Sequence, residues 1–305
     1  MEIVRTDVGF RKINADTKEG EIMEKICDLH THSTYSDGTL TPRELVLLAQ
    51  ERGISAIALT DHNTIAGLPE FLDEADQSEV RAVTGVEFST DYHDAELHIL
   101  ALFVEPRHYG AVMDYVEQML QRKEQSNLDL VASLDAAGIK LDYEKIKEGT
   151  PNGQVNRALI AAEMMRLGYC GSVKEAFSLW LSKKHGYFHP PRRLDALETI
   201  RFIKSIGAVA VLAHPLLNMD ERRLRQFLPE AVAAGLDGME VYYPKFGPER
   251  TKLAENLAEE FGLLFSGGSD FHGENKPEIG LGTGMDNLQI PLELLERLAE
   301  RAQKN

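Results

Sequence analysis

The stretch KICDLHTHSTYSDGTLTPRELVLLAQERGISAIALTDHNT, residues 25–64, contains an apolar run, a helical pattern and a second apolar run, and both apolar runs end on imidazole or carboxylate side chains. KICDLH reads as a strand, TPRELVLLAQERG as a helix closed by Gly53, and ISAIALT as a second strand. Strand, helix and strand in that order predict a crossover unit in a mostly parallel sheet. His30 and His32 stand two apart at the carboxyl end of the first strand, so their imidazoles leave one face and converge. Asp37 follows in the same loop, and a hydrophobic core needs none of the three.

The alternation continues with AGLPEFLDEAD as a helix and VRAVTGVEFS and ELHILALFV as strands, then stops at Pro106. Residues 106–193 hold only helical patterns, among them YGAVMDYVEQMLQRKEQSNLDLVASLDAAG, RALIAAEMMRLG and SVKEAFSLWLSKK, and read as an inserted helical subdomain. Alternation returns with LDALETIRFIKSIG, AVAVLAHP, RRLRQFLPEAVAAG, LDGMEVYY, PERTKLAENLAEEFG, LLFSGGSDFHG and a last helix, PLELLERLAERAQ. The fold class is therefore α/β, with about seven strands from residues 25–105 and 194–305. Residues 1–24 are weakly periodic and read as an amino-terminal arm without an assigned role.

At 305 residues, 43% hydrophobic and 27% charged, the chain has the composition of a folding globular protein with room for one α/β barrel and an insertion. Its formal charge of −16 argues against a long nucleic acid as partner, because counterion release needs a basic stripe that the sequence lacks. A phosphorylated metabolite or nucleotide would be met at one spot, where bound divalent ions reverse the local field. Cys27 and Cys170 form no C-x-x-C pair and are too few for a disulfide framework. No apolar run reaches the ~18 residues of a membrane span, and no signal pattern opens the chain. The expected location is the cytoplasm, with both thiols reduced.

The same strand-end arrangement recurs along the sequence. Asp61 and His62 follow the second strand, Glu87 ends the third, His98 lies inside AELHILALF, His214 ends AVAVLAHP, and Asp270 and His272, again two apart, end LLFSGGSDFH. Six of the ten histidines thus lie at or near strand ends, where α/β barrels gather functional residues into one cavity. An imidazole inside a strand, as at His98, is costly unless something binds its lone pair. His93, His108, His185 and His189 fall in loops or the insertion and read as surface. Nitrogen and carboxylate donors without thiolate suit Mn²⁺, Fe²⁺ or Zn²⁺ in a catalytic site. Six histidines, two aspartates and a glutamate exceed the needs of one ion and suit two or three.

The motifs DLHTHSTYSDG, ALTDHNT, GVEFS, LHILA, LAHP and GGSDFHG, in this order between residues 28 and 273, resemble those of the PHP (polymerase and histidinol phosphatase) family. The resemblance implies a distorted seven-stranded barrel and a trinuclear metal centre bridged by Glu87. Carried over by position, His30, His32, Glu87 and Asp270 would hold one ion, Glu87, His98 and His214 a second, and Asp37, His62 and His272 a third. Gly38 would close the turn that returns Asp37 over the cavity. The insertion is similar to that of phosphoesterases acting on nucleoside 3′,5′-bisphosphates and of short-RNA 5′ exonucleases. In NRALIAA, Arg157 matches that subgroup, while Leu159 and Phe246 stand where it often has His.

These readings imply a phosphoric ester hydrolase that removes phosphate from a nucleoside 3′,5′-bisphosphate to leave a 5′-mononucleotide. Asp270, or Asp61 behind the ligands, would move the proton, and Arg157, Arg192, Arg193 and Lys245 would face the substrate. The alternatives are a histidinol phosphatase, a cyclic phosphodiesterase, a short-RNA 5′ exonuclease and a non-catalytic regulatory module. The full donor set and the absence of a partner domain in the sequence argue against the last.

Overall fold

The computed structural model describes residues 25–150, 155–191 and 193–305. The expected arm at 1–24 and the candidate Arg192 lie outside the described residues.

The first unit is β1 (Cys27–Thr31), α1 (Pro42–Glu51) and β2 (Ala56–Leu59), with β1 and β2 parallel. Thr41 starts α1 by accepting from Glu44 N while the Glu44 carboxylate accepts from Thr41 N, and Pro42 occupies the first turn, where its missing N–H costs nothing. Next come α2 (Leu68–Ala75), β3 (Arg81–Tyr92) and β4 (Ala95–Leu102). After the insertion follow β5 (Leu194–Asp195), α7 (Ala196–Ser205), β6 (Val209–Ala213), α8 (Glu221–Ala234), β7 (Gly238–Tyr242), α9 (Pro248–Glu260), β8 (Leu264–Gly267) and α10 (Leu292–Ala302).

Seven strands run in the order β1-β2-β3-β4-β6-β7-β8, and the two-residue β5 flanks β3. The ends of this path meet beyond β8, where His32 N donates to Phe271 O (3.0 Å) and Asp270 N to His30 O (2.9 Å). This is the expected distorted barrel, with one departure from parallel order: β4 is antiparallel to both β3 and β6. The cause is the connection. Only His93 and Asp94 separate Tyr92 from Ala95, too short a link for a parallel crossover, and His93 takes a left-handed φ of 54° to make the turn.

Two apolar layers build the barrel. Ile57, Leu59, Phe88, Ile99, Leu212 and Met239 face outward onto helix residues such as Leu45, Phe71, Ile200, Phe227 and Leu257. Cys27, Ala56, Ala58, Val83, Leu100, Val209 and Val211 form the inner layer with Leu295 and Leu298 of α10. The pairing register of β1 on β2 shifts between Asp28 and Thr31, an added residue in β1 that re-aims the side chains beyond it. Before the shift Cys27 joins the inner layer, and His30 within it and His32 beyond it reach the barrel mouth.

Among the described residues, 106–193 contain helices only: α3 (Tyr109–Ala136), α4 (Tyr143–Glu148), α5 (Arg157–Arg166), the short α6 (Val173–Ala176) and a wide π turn at Phe177–Leu181, with single 3₁₀ turns at either end. The amino-terminal half of α3 buries Val112, Val116 and Met119 against the barrel's outer layer, whereas Leu130 and Leu134 enter a separate core with Ile146, Ile160, Met164 and Leu181. One helix of about 42 Å therefore belongs to both bodies and fixes the insertion to the barrel.

Candidate metal centre

Glu87 lies fully buried in β3 and gathers the surrounding imidazoles. Its Oε2 is 3.2 Å from His30 Nε2, 3.2 Å from His32 Nε2 and 3.0 Å from His62 Nδ1, and its Oε1 is 2.8 Å from His98 Nδ1 and 3.1 Å from His214 Nε2. Five histidines from four strands or their ends thus converge on one carboxylate. Asp270 Oδ1 approaches His32 Nε2 at 3.3 Å, and Asp37 Oδ1 approaches His272 Nε2 at 3.2 Å. All nine expected donors are together, in overlapping groups whose atoms lie within 4.8 Å of one another: His30, Glu87 and His214; His30, His32 and Asp270; His62, Glu87 and His98; and His32, Asp37, His62 and His272. The grouping differs from the partition implied by position: His32 also joins the Asp37 group, His98 meets Glu87 beside His62, His214 meets Glu87 beside His30, and His30, His32 and Asp270 group without Glu87.

This arrangement fits divalent ions. Glu87 Oε2 and His62 Nδ1 are buried without a hydrogen-bond partner, a costly state that a cation between them would relieve. The Nε2 atoms of His30 and His32 face each other at 3.1 Å, as two donors to a common centre do. Burial opposes ionisation of Glu87, but the charges of His30 and His98 and the hydrogen bond from His214 prevail and hold its carboxyl well below the usual range. Burial pushes the His62 imidazole down to about 3, leaving it neutral with a free lone pair. His214 and Asp270 hold left-handed φ values of 30° and 55°, strained for residues other than glycine, which marks positions where the fold dictates side-chain direction.

A second set of groups orients the donors. Glu240, fully buried in β7, accepts from His30 Nδ1 (2.9 Å) through one oxygen and from the His214 backbone N–H (2.6 Å) through the other. A proton on His30 Nδ1 leaves Nε2 free as a donor. Buried Asp28 accepts from His30 N, Ser269 N and Gly282 N. Gly38 lies against the backbone of the first loop, where a Cβ would collide with His32 O. Asp61, expected near the proton path, instead accepts from Ser33 N (2.7 Å), Ser33 Oγ (2.6 Å) and Ser36 Oγ (2.6 Å) and fastens the first loop. Asp270 Oδ2 takes Tyr243 OH (2.9 Å) and Lys276 Nζ (2.7 Å). Glu240 was open to the strand-end reading, because it lies in LDGMEVYY; nothing in the sequence marks Lys276.

Beside the donors lies a cavity of about 740 Å³, with Asp37, His62 and His98 on one side and the insertion on the other. The first turn of α5, capped by Asn156, opens onto it, and so do Arg157, Leu159, Phe177, Phe188 and, from α3, Met119 and Lys123. Arg157 donates Nη1 to Leu181 O (3.1 Å) at the end of the π turn, and its guanidinium carbon lies 4.0 Å from the Phe188 ring centre. Arg193 reaches the wall paired with Asp91 (3.1 Å) and Glu96 (2.9 Å). Lys245 does not reach it: this side chain is exposed, while its neighbours Tyr243 and Phe246 turn inward and pack on each other at 5.2 Å. His93, His185 and His189 are exposed and His108 is half-buried, outside the donor groups. Among the described residues no helix is long and apolar enough to cross a membrane.

The family description "PHP domain" matches residues 28–182. A 5′-3′ exoribonuclease of Haemophilus influenzae is 33% identical over 251 residues, 82% of this chain and 91% of that protein. A 3′,5′-nucleoside bisphosphate phosphatase of Chromobacterium violaceum is 30% identical over 262 residues, 83% of this chain and 90% of that protein. A solved Bifidobacterium adolescentis structure described as a metal-dependent phosphoesterase superposes with a TM-score of 0.73 at 28% identity, covering 91% of this chain and 96% of the other.

Proposed function

The chain belongs to the PHP domain family of metal-dependent phosphoesterases, and on that premise we propose that it cleaves the P–O3′ bond of a 5′-phosphorylated nucleoside, with a nucleoside 3′,5′-bisphosphate as the preferred substrate. The observation that carries this reading is the cavity. At about 740 Å³ it falls within the ~300–1,000 Å³ range of small-ligand sites, with metal donors on one side and cationic side chains on the other. A small polyanion bridges those two sides.

In this proposal two to three Mn²⁺, Fe²⁺ or Zn²⁺ ions are held by His30, His32, Asp37, His62, Glu87, His98, His214, Asp270 and His272. The chemistry such ions supply when bound is activation of water and neutralisation of charge on the phosphoryl oxygens. Glu240 and Asp28 keep His30 in register. Water attacks phosphorus as the P–O3′ bond breaks, and the proton lost by water returns to the leaving 3′ oxygen. Asp270 is our candidate carrier for that proton: burial opposes its charge, but contact with His32 and the nearby His30 hold its carboxyl well below the usual range, so that it stands ionised and passes a proton on rather than keeping it. Arg157 is the candidate contact for a substrate phosphate, with a planar fork suited to one.

A short RNA with a 5′ phosphate presents the same bond, its phosphorus carrying the next nucleoside in place of a free oxygen. Similarity to the Haemophilus exoribonuclease supports that second reading. The discriminating experiment compares kcat/KM of the Mn²⁺-loaded protein for adenosine 3′,5′-bisphosphate and for a 5′-phosphorylated dinucleotide, with histidinol phosphate and a cyclic ribose phosphate alongside. A bisphosphate value below that of the dinucleotide would overturn the preferred reading, and activity confined to either of the others would overturn both.

A further inference from the structure

Lys123 has no part in the centre described above, and the sequence did not single it out. It projects from the middle of α3 into the 740 Å³ cavity, on the insertion side, facing the wall that holds Asp37, His62 and His98. Among the described residues it makes no ion pair, unlike Arg193, which is matched by Asp91 and Glu96. Arg157 is also partly engaged, with one amino group on Leu181 O and one face on Phe188. Burial pulls the Lys123 ammonium below its ordinary value, and the charges of Asp37 and Glu124 only partly restore it. A half-buried cation without a partner is a costly feature in an isolated protein and a useful one where an anion arrives.

We propose that Lys123 holds the phosphate of the substrate that does not react, and so sets the preference for a 5′-phosphorylated nucleoside. The inference rests on the P–O3′ reading above and names the residue that makes it selective. An ammonium suits this place because it carries three donors on a flexible stem and can follow a terminal phosphate. The geometry separates tasks: the donors gathered on Glu87 serve the scissile phosphate, and Lys123, across the cavity, serves the distal one.

The test uses the full chain loaded with Mn²⁺ and the variants Lys123→Met, which keeps the aliphatic stem, and Lys123→Arg, which keeps the charge. For Lys123→Met, kcat/KM on adenosine 3′,5′-bisphosphate is expected to fall by about tenfold to a hundredfold, mainly through KM. On adenosine 3′-monophosphate, which lacks the distal phosphate, it should be unchanged. By calorimetry the Kd for AMP should rise by the same factor, with bound manganese unaltered, and Lys123→Arg should recover most of the loss. Equal losses on both nucleotides, or AMP binding that ignores the substitution, would overturn the role. If the wild type hydrolysed neither nucleotide, the proposed substrate would fall, whereas AMP binding would still decide Lys123; no AMP binding by the wild type would refute it.

Discussion

Glu240 touches no substrate in this arrangement, yet two donors depend on it. Its carboxylate fixes the His30 ring through Nδ1 and the His214 backbone through N–H. Glu240→Gln keeps the volume and removes the charge that holds the His30 tautomer. Outer partners of metal-ligating imidazoles are worth about tenfold to a hundredfold in metal affinity or activity, and a loss of that size is expected in a manganese titration and in kcat/KM. Unaltered binding would show that His30 needs no orienting group. Cys27 carries the opposite lesson, of a reactive group made inert by its place. Burial, aided by the neighbouring Asp28 charge, pushes its thiol up to about 12. The native protein at pH 8 should therefore yield no more than one thiol to a disulfide reagent, from the half-buried Cys170, and two once unfolded in urea. An immediate native titre of two would contradict the burial of Cys27.

Among the elements, the β3–β4 hairpin shapes the site and α10 fills the far end of the barrel. The hairpin carries Glu87 and His98 on neighbouring antiparallel strands, and a parallel crossover would have put one of them at the far end of the barrel. Its turn, His93–Asp94, contains no glycine or asparagine to announce a tight reversal, which is why the strands could be recognised but their relative direction could not. The helix α10 supplies Leu295 and Leu298 to the inner layer at the end remote from the donors. Leu298→Ala is expected to lower stability by about 2–5 kcal/mol in urea unfolding, since the closed barrel cannot collapse around the void. Metal bound per folded chain should stay the same; a parallel loss of metal would mean that the bottom layer and the centre are mechanically coupled.

For the molecule as a whole, the donors belong to the folded state alone, since residues 30 to 272 meet only when the barrel closes. Each ion at a free concentration a hundred times its Kd then adds about 2.7 kcal/mol to stability. Treatment with EDTA should lower the thermal midpoint, and Mn²⁺ should restore it; a midpoint indifferent to both would exclude ions as part of the folded structure. The sequence by itself determined the alternation of strands and helices and the helical character of the insertion and marked the nine candidate donors, because burial periodicity is local and because imidazoles and carboxylates at the ends of apolar runs stand out from a core pattern. Only the tertiary structure decided the direction of β4, the register shift that turns His30 and His32 inward, and the places of the charged residues around the cavity. Lys245 is exposed, Asp61 fastens a loop and Lys123 enters the cavity, although nothing in the sequence around the three distinguishes these places. The physical reason is that a charge on a flexible stem follows whichever surface packing leaves beside it, and that surface is made by segments far apart in the chain.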